Sequence, residues 1–296
     1  MNAELLAHLT AAISDATHLS FELRNAAPVG GGSINQSFRL EGTDGKRYFL
    51  KVNNARHHPM FIAEAAGLDA IAATGTLRVP RTVAHGVAGD QGYLVLEYLE
   101  LGSRGNARLL GERLAAMHRC TADQFGLAGD NFIGTTLQPN ARTDDWVEFW
   151  RRHRLGFQLR LAAGKGYGGR LQSLGEQLLD ALPAFFAGYS PLPSLLHGDL
   201  WSGNHGFLAD GAPAIFDPAT YYGDRECDLA MTELFGGFPE SFYAAYRTAW
   251  PLDPGYATRR DLYNLYHILN HANLFGGGYA TQAKQMMQRL LIEHGR

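Results

Sequence analysis

The chain has 296 residues, a length that suits one large domain or two lobes. Hydrophobic residues make up 46% and charged residues 19%, which is ample apolar material for a core. The formal net charge of −3 provides no basic field for nucleic acid or an anionic membrane surface, so we expect neither as a partner. The 2 cysteines offer no disulfide framework and no metal-ligand spacing.

The start of the chain has no Lys or Arg before Arg24, so it lacks the basic segment that opens a signal peptide. No apolar run reaches the ~18–20 residues that a membrane-spanning helix needs. We therefore expect a soluble, cytoplasmic protein. The sequence leaves the oligomeric state open, with a monomer favoured.

Residues 1–99 predict a small lobe with an antiparallel sheet and one internal helix. Leu5, Leu9 and Ile13 form the apolar stripe of a short first helix. The internal helix should run from Pro59 to about Thr74. Strands are expected at residues 37–40, 47–52, 82–87 and 93–99, and the turn Gly42-Thr43-Asp44-Gly45 indicates a hairpin between the first two.

Residues 100–296 predict a larger, mainly helical lobe. Apolar stripes at helical spacing begin at Leu110, Trp146 and Leu171. Short apolar runs at residues 206–208 and 214–217 flank the turn at Asp210-Gly211 and predict a second hairpin. The fold class is therefore α+β, with a strand-rich lobe of residues 1–99 followed by a helical lobe of residues 100–296.

Three polar side chains in the second lobe have the spacing of a phosphoryl-transfer site. Asp199 and Asn204 are five residues apart in a glycine-containing segment, and Asp217 follows another apolar run. Phosphoryl transfer needs a carboxylate that orients the attacking hydroxyl, plus oxygen ligands for Mg²⁺ on the nucleotide phosphates. Asp and Asn also favour ordinary turns. The three together at this spacing favour the catalytic interpretation.

A lysine and a glutamate in the first lobe form a second candidate pair. Lys51 lies in a strand that is otherwise apolar, where a lysine can also be a simple edge-strand charge. Glu64 shares a helical stripe with Phe61, Leu68 and Ile71, and a carboxylate on a buried stripe needs a partner. We expect Lys51 and Glu64 to pair, so that the lysine is aimed at the ATP phosphates.

Two further segments of the first lobe are candidates for binding the nucleotide. The loop that contains Gly31, Gly32 and Ser33 precedes the Lys51 strand, and its backbone N–H groups could cover phosphates. It is not a Walker A motif, because no Gly-Lys-Ser/Thr follows. Glu97-Tyr98-Leu99 ends the last predicted strand, where a connecting segment could bind adenine through its backbone.

Other catalytic classes find little support in the sequence. His118, His153, His267 and His271 lie on predicted helices, where packed or surface positions are more common than ligand positions. The chain has no His-Glu-x-x-His or Cys-x-x-Cys zinc pattern and no Gly-x-Ser-x-Gly elbow of a serine hydrolase.

The segment Leu196-His197-Gly198-Asp199-Leu200-Trp201-Ser202-Gly203-Asn204 resembles the catalytic loop of the aminoglycoside phosphotransferase and choline kinase superfamily. Further segments narrow the resemblance to the fructosamine kinase (ketosamine 3-kinase) family, nearly end to end. They are Gly31-Gly32-Ser33-Ile34-Asn35, Ile215-Phe216-Asp217-Pro218-Ala219, residues 222–230 and residues 265–276. The resemblance implies a protein-kinase-like, two-lobed fold, in which residues 1–99 bind the nucleotide and residues 100–296 carry catalysis and the substrate site.

It also implies ATP- and Mg²⁺-dependent transfer of phosphate to the 3-hydroxyl of ketosamines, such as ribulosamines, erythrulosamines and fructosamines, and a place in protein deglycation. Small ketosamines or glycated proteins would be the partners. Asp199 would be the proton acceptor, with Asn204 and Asp217 as Mg²⁺ ligands. Trp201 would form a wall for the sugar, although a buried structural indole is an equal alternative. Asp228 would hold the loop by accepting its N–H groups.

One departure concerns Ser33, where many family members carry a cysteine, so the disulfide-linked dimer associated with that cysteine is not available here. Three alternatives stay open. One is another small-molecule kinase of the superfamily, acting on an aminoglycoside, choline or homoserine. A second is a pseudokinase that serves as a binding module. A third is a protein kinase, which the short stretch between Asp217 and Asp228 disfavours.

Overall fold

The computed structural model describes residues 2–30, 34–102 and 104–294. The chain forms two compact units, one made of residues 1–106 and 203–218 and the other of residues 107–202 and 219–296. The N-terminal unit is therefore discontinuous in sequence. The prediction of two lobes with a single boundary after residue 99 stays a prediction.

The elements before residue 102 are an antiparallel sheet and two helices. Along the chain, one helix precedes the first three strands and the other follows them. The sheet has the order β1-β2-β3-β5-β4, and all its pairs are antiparallel. In chain order the elements are α1 (Ala3–Thr17), β1 (Leu23–Pro28), β2 (Gln36–Gly42), β3 (Arg47–Asn54), a 3₁₀ turn (Ala55–His57), α2 (His58–Ala73), β4 (Thr82–Ala88) and β5 (Gln91–Glu97).

Local sequence explains why these elements form. Asn2 caps α1 by accepting the N–H of Leu5 at 2.8 Å. The stripe predicted for α1 (Leu5, Leu9 and Ile13) is fully buried in a core that also contains Leu40, Leu50 and Val95 of the sheet. Gly45 has a φ of 79° in the hairpin turn, a conformation that glycine adopts without strain. The antiparallel sheet with its internal helix α2 confirms the fold predicted for this part of the chain.

The elements after residue 104 are mainly helical. They are α3 (Ala107–His118), β6 (Asn131–Ile133), β7 (Thr136–Gln138), α4 (Trp146–Phe149), a π-helical turn (Trp150–Leu155), α5 (Gly156–Gly164), α6 (Arg170–Phe185), β8 (Ser194–Leu196), a 3₁₀ turn (Ser202–Asn204), β9 (His205–Phe207), β10 (Pro213–Ile215), β11 (Tyr221–Gly223), α7 (Glu226–Leu234), α8 (Glu240–Ala249), α9 (Tyr256–Phe275) and α10 (Tyr279–His294). In the described part of the chain, no helix is long and apolar enough to cross a membrane.

Two of the short strand pairs place the site. β9 and β10 form the predicted hairpin, which belongs to the N-terminal unit and bridges to it at Arg78–Ala214 and Leu101–Leu208. β8 pairs with β11 in the C-terminal unit, and this pairing frames the segment that begins at His197. Some predicted strand ends were wrong. β5 ends at Glu97 rather than Leu99, and β10 ends at Ile215, because the backbone at Asp217 leaves the extended conformation.

The core of the C-terminal unit is aromatic and extensive. It gathers the stripes predicted from Trp146 and Leu171 together with the buried faces of α9 and α10. Trp146 and Trp150 both contact Tyr263 of α9, at ring-centroid distances of 6.2 and 4.8 Å. Such a core gives the small strand pairs a rigid support.

Candidate active site

Lys51 lies in the middle strand β3 and is almost fully buried, with 4% of its surface exposed. Its Nζ donates to Oε1 of Glu64 at 2.7 Å and to Oδ1 of Asp217 at 2.5 Å. The predicted pairing of Lys51 with Glu64 is therefore present. Phe61, Leu68 and Ile71 are buried as their stripe required, and this places Glu64 on the face of α2 that reaches β3.

The charged groups in this cluster shift one another's pKa values. Burial alone would lower the pKa of Lys51, but the carboxylates of Asp217 and Glu64 outweigh it, so the pKa is raised and the ammonium stays charged. Burial raises the pKa of Glu64 to about 7 despite the neighbouring Lys51, and the charge of Asp217 adds to the rise. Glu64 therefore titrates close to neutral pH.

Asp217 and Asn204 are connected by the β9–β10 hairpin. The N–H of Phe216 donates to the carbonyl oxygen of Asn204 at 3.0 Å, which ties the residue before Asp217 to the start of the hairpin. Asp217 has a φ of 58°, an uncommon conformation for a residue other than glycine. Its side chain is 45% exposed although it contacts the buried Lys51. One of the carboxylate oxygens can thus face a ligand.

Asn204 and Asp217 are the residues predicted to hold Mg²⁺. The described residues contain no group of three or more His, Cys, Asp or Glu side chains that could hold a metal ion. Mg²⁺ uses few protein oxygens and takes its other ligands from phosphate and water. The carboxylate of Asp217 and the amide oxygen of Asn204 are donors of the type that Mg²⁺ uses, and their role as ligands stays a prediction.

The predicted phosphate loop lies only partly within the described residues. Gly31, Gly32 and Ser33 lie outside them. The following segment is anchored by Asn53 of β3, whose Nδ2 donates to the carbonyl oxygen of Ile34 at 3.1 Å and to Oδ1 of Asn35 at 2.7 Å. The role of this loop stays a prediction.

The predicted adenine contact lies at the end of β5. Glu97 is the last residue of this strand, and Tyr98 and Leu99 follow it. The carboxylate of Glu97 forms ion pairs with Arg78 and Arg81, which hold its pKa below the usual value against the effect of burial. The N–H of Glu97 donates to the carbonyl oxygen of Arg81 at 2.9 Å. A backbone contact with adenine would therefore use the other backbone groups of this segment. Nothing in the sequence pattern indicated that these two arginines would pair with Glu97.

The segment around Asp199 turns sharply after β8. Gly198 has a φ of 83°, and a Cβ at this position would lie 2.1 Å from the carbonyl oxygen of Ala219, so only glycine fits. The N–H of Ala219 donates to the carbonyl oxygen of His197 at 2.8 Å, and the N–H of Asp199 donates to Nδ1 of His197 at 3.2 Å. These contacts leave Asp199 partly exposed at the surface of the C-terminal unit.

Asp228 of α7 stabilises this segment through hydrogen bonds. Its carboxylate accepts the N–H of His197 at 2.7 Å and the N–H of Gly198 at 2.8 Å, as predicted. Nε2 of His118 lies 3.0 Å from the same carboxylate, and the hydroxyl of Tyr246 lies 2.8 Å from Nδ1 of His118. Burial would raise the pKa of Asp228, but His118 and these N–H groups lower it, so the carboxylate is ionised.

His118 and Tyr246 extend the hydrogen-bonded network of Asp228, and the sequence did not reveal these contacts. The prediction for His118 was a packed or surface residue, and it is fully buried. Because a carboxylate only accepts hydrogen bonds, Nε2 of His118 carries the proton that faces Asp228. The spacing of His118 and Asp228 in the sequence carries no signal for this contact.

Trp201 is half-buried, two residues after Asp199. Its ring meets Phe235 edge to face, with centroids 6.4 Å apart. Phe235 in turn contacts His271 at 5.0 Å. Whether Trp201 lines the sugar site stays a prediction. The neighbouring Phe235 lies at the end of α7, where nothing in the sequence pattern marks it as part of a site.

The fold and these clusters define a class. An antiparallel N-terminal sheet with a buried strand lysine paired to a helix glutamate, followed by a helical part, is the architecture of protein-kinase-like phosphotransferases. Solved small-molecule phosphotransferases have a similar fold, with TM-scores of 0.63 and 0.64, at sequence identities of 12% and 11%, a likeness of fold alone.

The family is narrower than the class. Residues 5–293 match the model of the fructosamine kinase family, so the chain belongs to that family. A probable ketoamine kinase of Synechocystis sp. is 50% identical over 284 residues, covering 94% of each chain. A chloroplastic protein-ribulosamine 3-kinase of Arabidopsis thaliana is 42% identical over 274 residues, covering 91% of this chain and 83% of the relative. A crystal structure from Haemophilus somnus, described as a candidate fructosamine-3-kinase, has a TM-score of 0.88 with 27% identity and covers 96% of both chains.

Proposed function

We propose that the protein is an ATP- and Mg²⁺-dependent kinase that phosphorylates the 3-hydroxyl of ketosamines, free or bound to proteins, and so acts in protein deglycation. The observation that carries the phosphoryl-transfer chemistry is the buried Lys51 ammonium, which bonds to both Glu64 and Asp217. The acceptor is suggested by the relatives, which are described as ketoamine and protein-ribulosamine kinases.

The residues divide the work by their chemistry. Lys51, oriented by Glu64, would hold the phosphates of ATP as a fixed positive charge. Asn204 and Asp217 would hold Mg²⁺, which supplies neutralisation of the phosphate charge. Backbone groups of Glu97, Tyr98 and Leu99 would bind adenine, and the loop with Gly31, Gly32 and Ser33 would cover the phosphates.

Asp199 would accept the hydrogen bond of the attacking hydroxyl and align it for in-line transfer. Asp228 fixes the backbone on which Asp199 stands, because it accepts the N–H groups of the two preceding residues. Trp201 would limit the sugar on one side. Positioning and charge neutralisation would supply most of the acceleration, and Asp199 would take up the hydroxyl proton as the phosphoryl group is transferred.

An ATP-consumption screen tests the proposal. The substrates are ribulosyl-lysine, fructosyl-lysine, choline and kanamycin, each with Mg²⁺ present and with EDTA in excess as the control. We expect Mg²⁺-dependent turnover with the ketosamines. Turnover with choline or kanamycin alone would show another kinase of the superfamily, and no turnover with any substrate would favour a binding module.

A further inference from the structure

The backbone of Ala219 joins the segment around Asp199 to a buried polar network of the C-terminal unit. Its N–H donates to the carbonyl oxygen of His197 at 2.8 Å, and its carbonyl oxygen lies so close to Gly198 that no side chain fits there. Nε2 of Gln138, which is fully buried, donates to the same carbonyl oxygen at 3.0 Å. The position of Ala219 therefore affects the backbone from which Asp199 extends.

The network begins at a buried arginine and ends at two backbone carbonyls. Nη2 of Arg154 donates to Oδ1 of Asn140 at 2.8 Å, and Nδ2 of Asn140 donates to Oδ1 of Asn131 at 2.8 Å. Nδ2 of Asn131 donates to the carbonyl oxygen of Thr220 at 2.7 Å. Gln138 joins the network by donating to Oδ1 of Asn131 at 2.8 Å. Asn131, with 5% of its surface exposed, is the least buried of the four side chains.

The two ends of the network fix the direction of its hydrogen bonds. An arginine side chain only donates hydrogen bonds and a backbone carbonyl only accepts them, so the amides between them can take one orientation only. The hydroxyl of Tyr266 donates to Oε1 of Gln138 at 2.7 Å, which orients that amide as well. Burial raises the pKa of Tyr266 to about 12 against the charge of Arg154, so the hydroxyl keeps its proton near neutral pH. A buried network in which each member is satisfied is rigid.

Arg154 carries a buried charge, which is costly unless it serves a specific purpose. It is fully buried in the π-helical turn of Trp150–Leu155, and such turns are rare and often lie at functional sites. Its guanidinium donates to the carbonyl oxygen of Pro139 at 2.7 Å and lies 4.0 Å from the ring centre of Tyr221. Tyr221 pairs with Leu196 at the end of β8, the strand that leads to His197. Arg154 thus contacts both the network and the strand pair that frames the segment.

We propose that this network positions the turn that carries Asp199, and that Gln138 is the positioning residue at its contact with the turn. The inference rests on the proposed function. Asp228 accepts the N–H groups of the two residues before Asp199, whereas Gln138 holds the carbonyl oxygen of Ala219, so the two side chains act on different groups. Without the Gln138 donor the turn would relax, and Asp199 would align the attacking hydroxyl less well.

Gln138→Met tests the proposal, because methionine keeps the size of the side chain and cannot donate to Ala219. With ribulosyl-lysine as substrate, we expect kcat to fall about tenfold and KM for ATP to stay within about twofold of the wild-type value, the effect of one lost hydrogen bond. Gln172→Met is the matched control. Nε2 of Gln172 also donates to two backbone carbonyls, those of Leu159 and Tyr167, and neither belongs to the segment around Asp199, so kcat should be unchanged.

Tyr266→Phe is a second variant, which leaves Gln138 in place and removes only the hydroxyl that orients its amide. We expect kcat to fall about threefold, again with little change in KM for ATP. Circular dichroism and thermal melting identify a variant that has lost its fold. Where Gln138→Met does not fold, the Tyr266→Phe result decides alone.

The outcomes separate the inference from the proposed function. An unchanged kcat in the folded Gln138→Met protein, an equal fall in Gln172→Met, or a tenfold rise in KM for ATP in place of the fall in kcat would overturn the inference while the proposed function stands. A wild-type protein that does not phosphorylate ribulosyl-lysine would overturn the proposed function, and the inference with it.

Discussion

The ammonium of Lys51 lies between two carboxylates that come from distant parts of the chain, Glu64 on α2 and Asp217 after β10. Only one of the two can be neutralised by a single positive charge. The less exposed one, Glu64, takes the rise in pKa to about 7, whereas 45% of the Asp217 side chain is exposed to solvent. At the scale of single residues, the site thus combines a permanent cation with a carboxylate that titrates in the physiological range.

The Glu64 carboxylate gives a pH prediction. Its ionised form pairs with Lys51, so kcat/KM for ATP should fall as the pH drops below about 7 and protonation weakens the pair. Glu64→Gln should lose this acidic limb and stay about 10- to 100-fold below the wild type at pH 8, the effect of losing a charge-assisted hydrogen bond. Steady-state kinetics from pH 5.5 to 8.5, a range of about three units around the Glu64 value, measures both. An unchanged acidic limb in the variant would assign it to another group.

The pH dependence that Glu64 gives to stability is opposite to the one it gives to activity. Because its pKa is raised in the folded state, the unfolded chain loses its proton first, and this contribution to stability falls as the pH rises from about 4.5 to 7. At neutral pH, most of this contribution of Glu64 to stability has therefore been lost.

Asp199 carries the second prediction at this scale. Asp199→Ala should leave the protein folded and lower kcat by about 10²–10⁴-fold, the usual contribution of a positioned acid–base group. Turnover is measured with ribulosyl-lysine, and folding by circular dichroism and thermal melting. Asp180→Ala, which removes an exposed aspartate of α6, is the control and should be fully active. Activity of the Asp199 variant above a few per cent of wild type would exclude the proposed role.

At the scale of elements, the backbone that precedes Asp199 depends on helices that lie elsewhere in the sequence. Asp228 of α7 holds the backbone at His197 and Gly198, His118 at the end of α3 holds Asp228, and Tyr246 of α8 holds His118. Arg225 extends the network, because its guanidinium donates to the Tyr246 hydroxyl at 3.2 Å. A buried network of this kind is rigid only when every member is satisfied.

Removing the charge of Asp228 tests the network. Asp228→Asn replaces one acceptor oxygen by an amide that faces donors, so the free energy of unfolding should fall by about 3 kcal/mol. If the residue positions Asp199, kcat should fall while the affinity for ATP stays the same. Urea unfolding and nucleotide titration measure the two effects. Tyr246→Phe removes only the hydroxyl that contacts His118, so the free energy of unfolding should fall by about 1 kcal/mol. An equal fall in both variants would contradict the expectation that Asp228 contributes more to the network than Tyr246.

Much of the element pattern could be predicted from local sequence. The stripe of Phe61, Leu68 and Ile71 determines which face of α2 is buried, and this face brings Glu64 to Lys51. The same reasoning could not reach Asp217, which lies 166 residues from Lys51, because local periodicity carries no information on such long-range approaches. The left-handed backbone at Asp217 and the His118–Asp228 contact were beyond reach for the same reason.

At the scale of the whole molecule, buried histidines link folding to pH. Burial lowers the pKa of His267 to about 3, so the folded protein keeps this ring neutral while the unfolded chain takes up a proton below about pH 6.5. The stability it contributes is complete above that value and is lost as the pH falls. Between pH 7 and 5 the loss amounts to about 2 kcal/mol.

Urea unfolding of the wild type and of His267→Gln at pH 7 and pH 5 measures this contribution. The variant should lose about 2 kcal/mol less between the two pH values than the wild type does. His8→Gln replaces an exposed histidine of α1 and should lose as much as the wild type. A variant at position 267 with the wild-type loss would place the acid sensitivity in other groups.

The hairpin of β9 and β10 belongs to the N-terminal unit although the chain reaches it only after residue 202. When the first 106 residues have emerged from the ribosome, Asn204 and Asp217 have therefore not yet been synthesised. The N-terminal sheet can form at that stage. Lys51 lacks one of its two carboxylate partners until the hairpin has emerged, and chain synthesis proceeds at ~5–20 residues per second. The cluster of Lys51, Glu64 and Asp217 is thus completed late in synthesis, and a fragment that stops before the hairpin would carry Lys51 and Glu64 without Asp217.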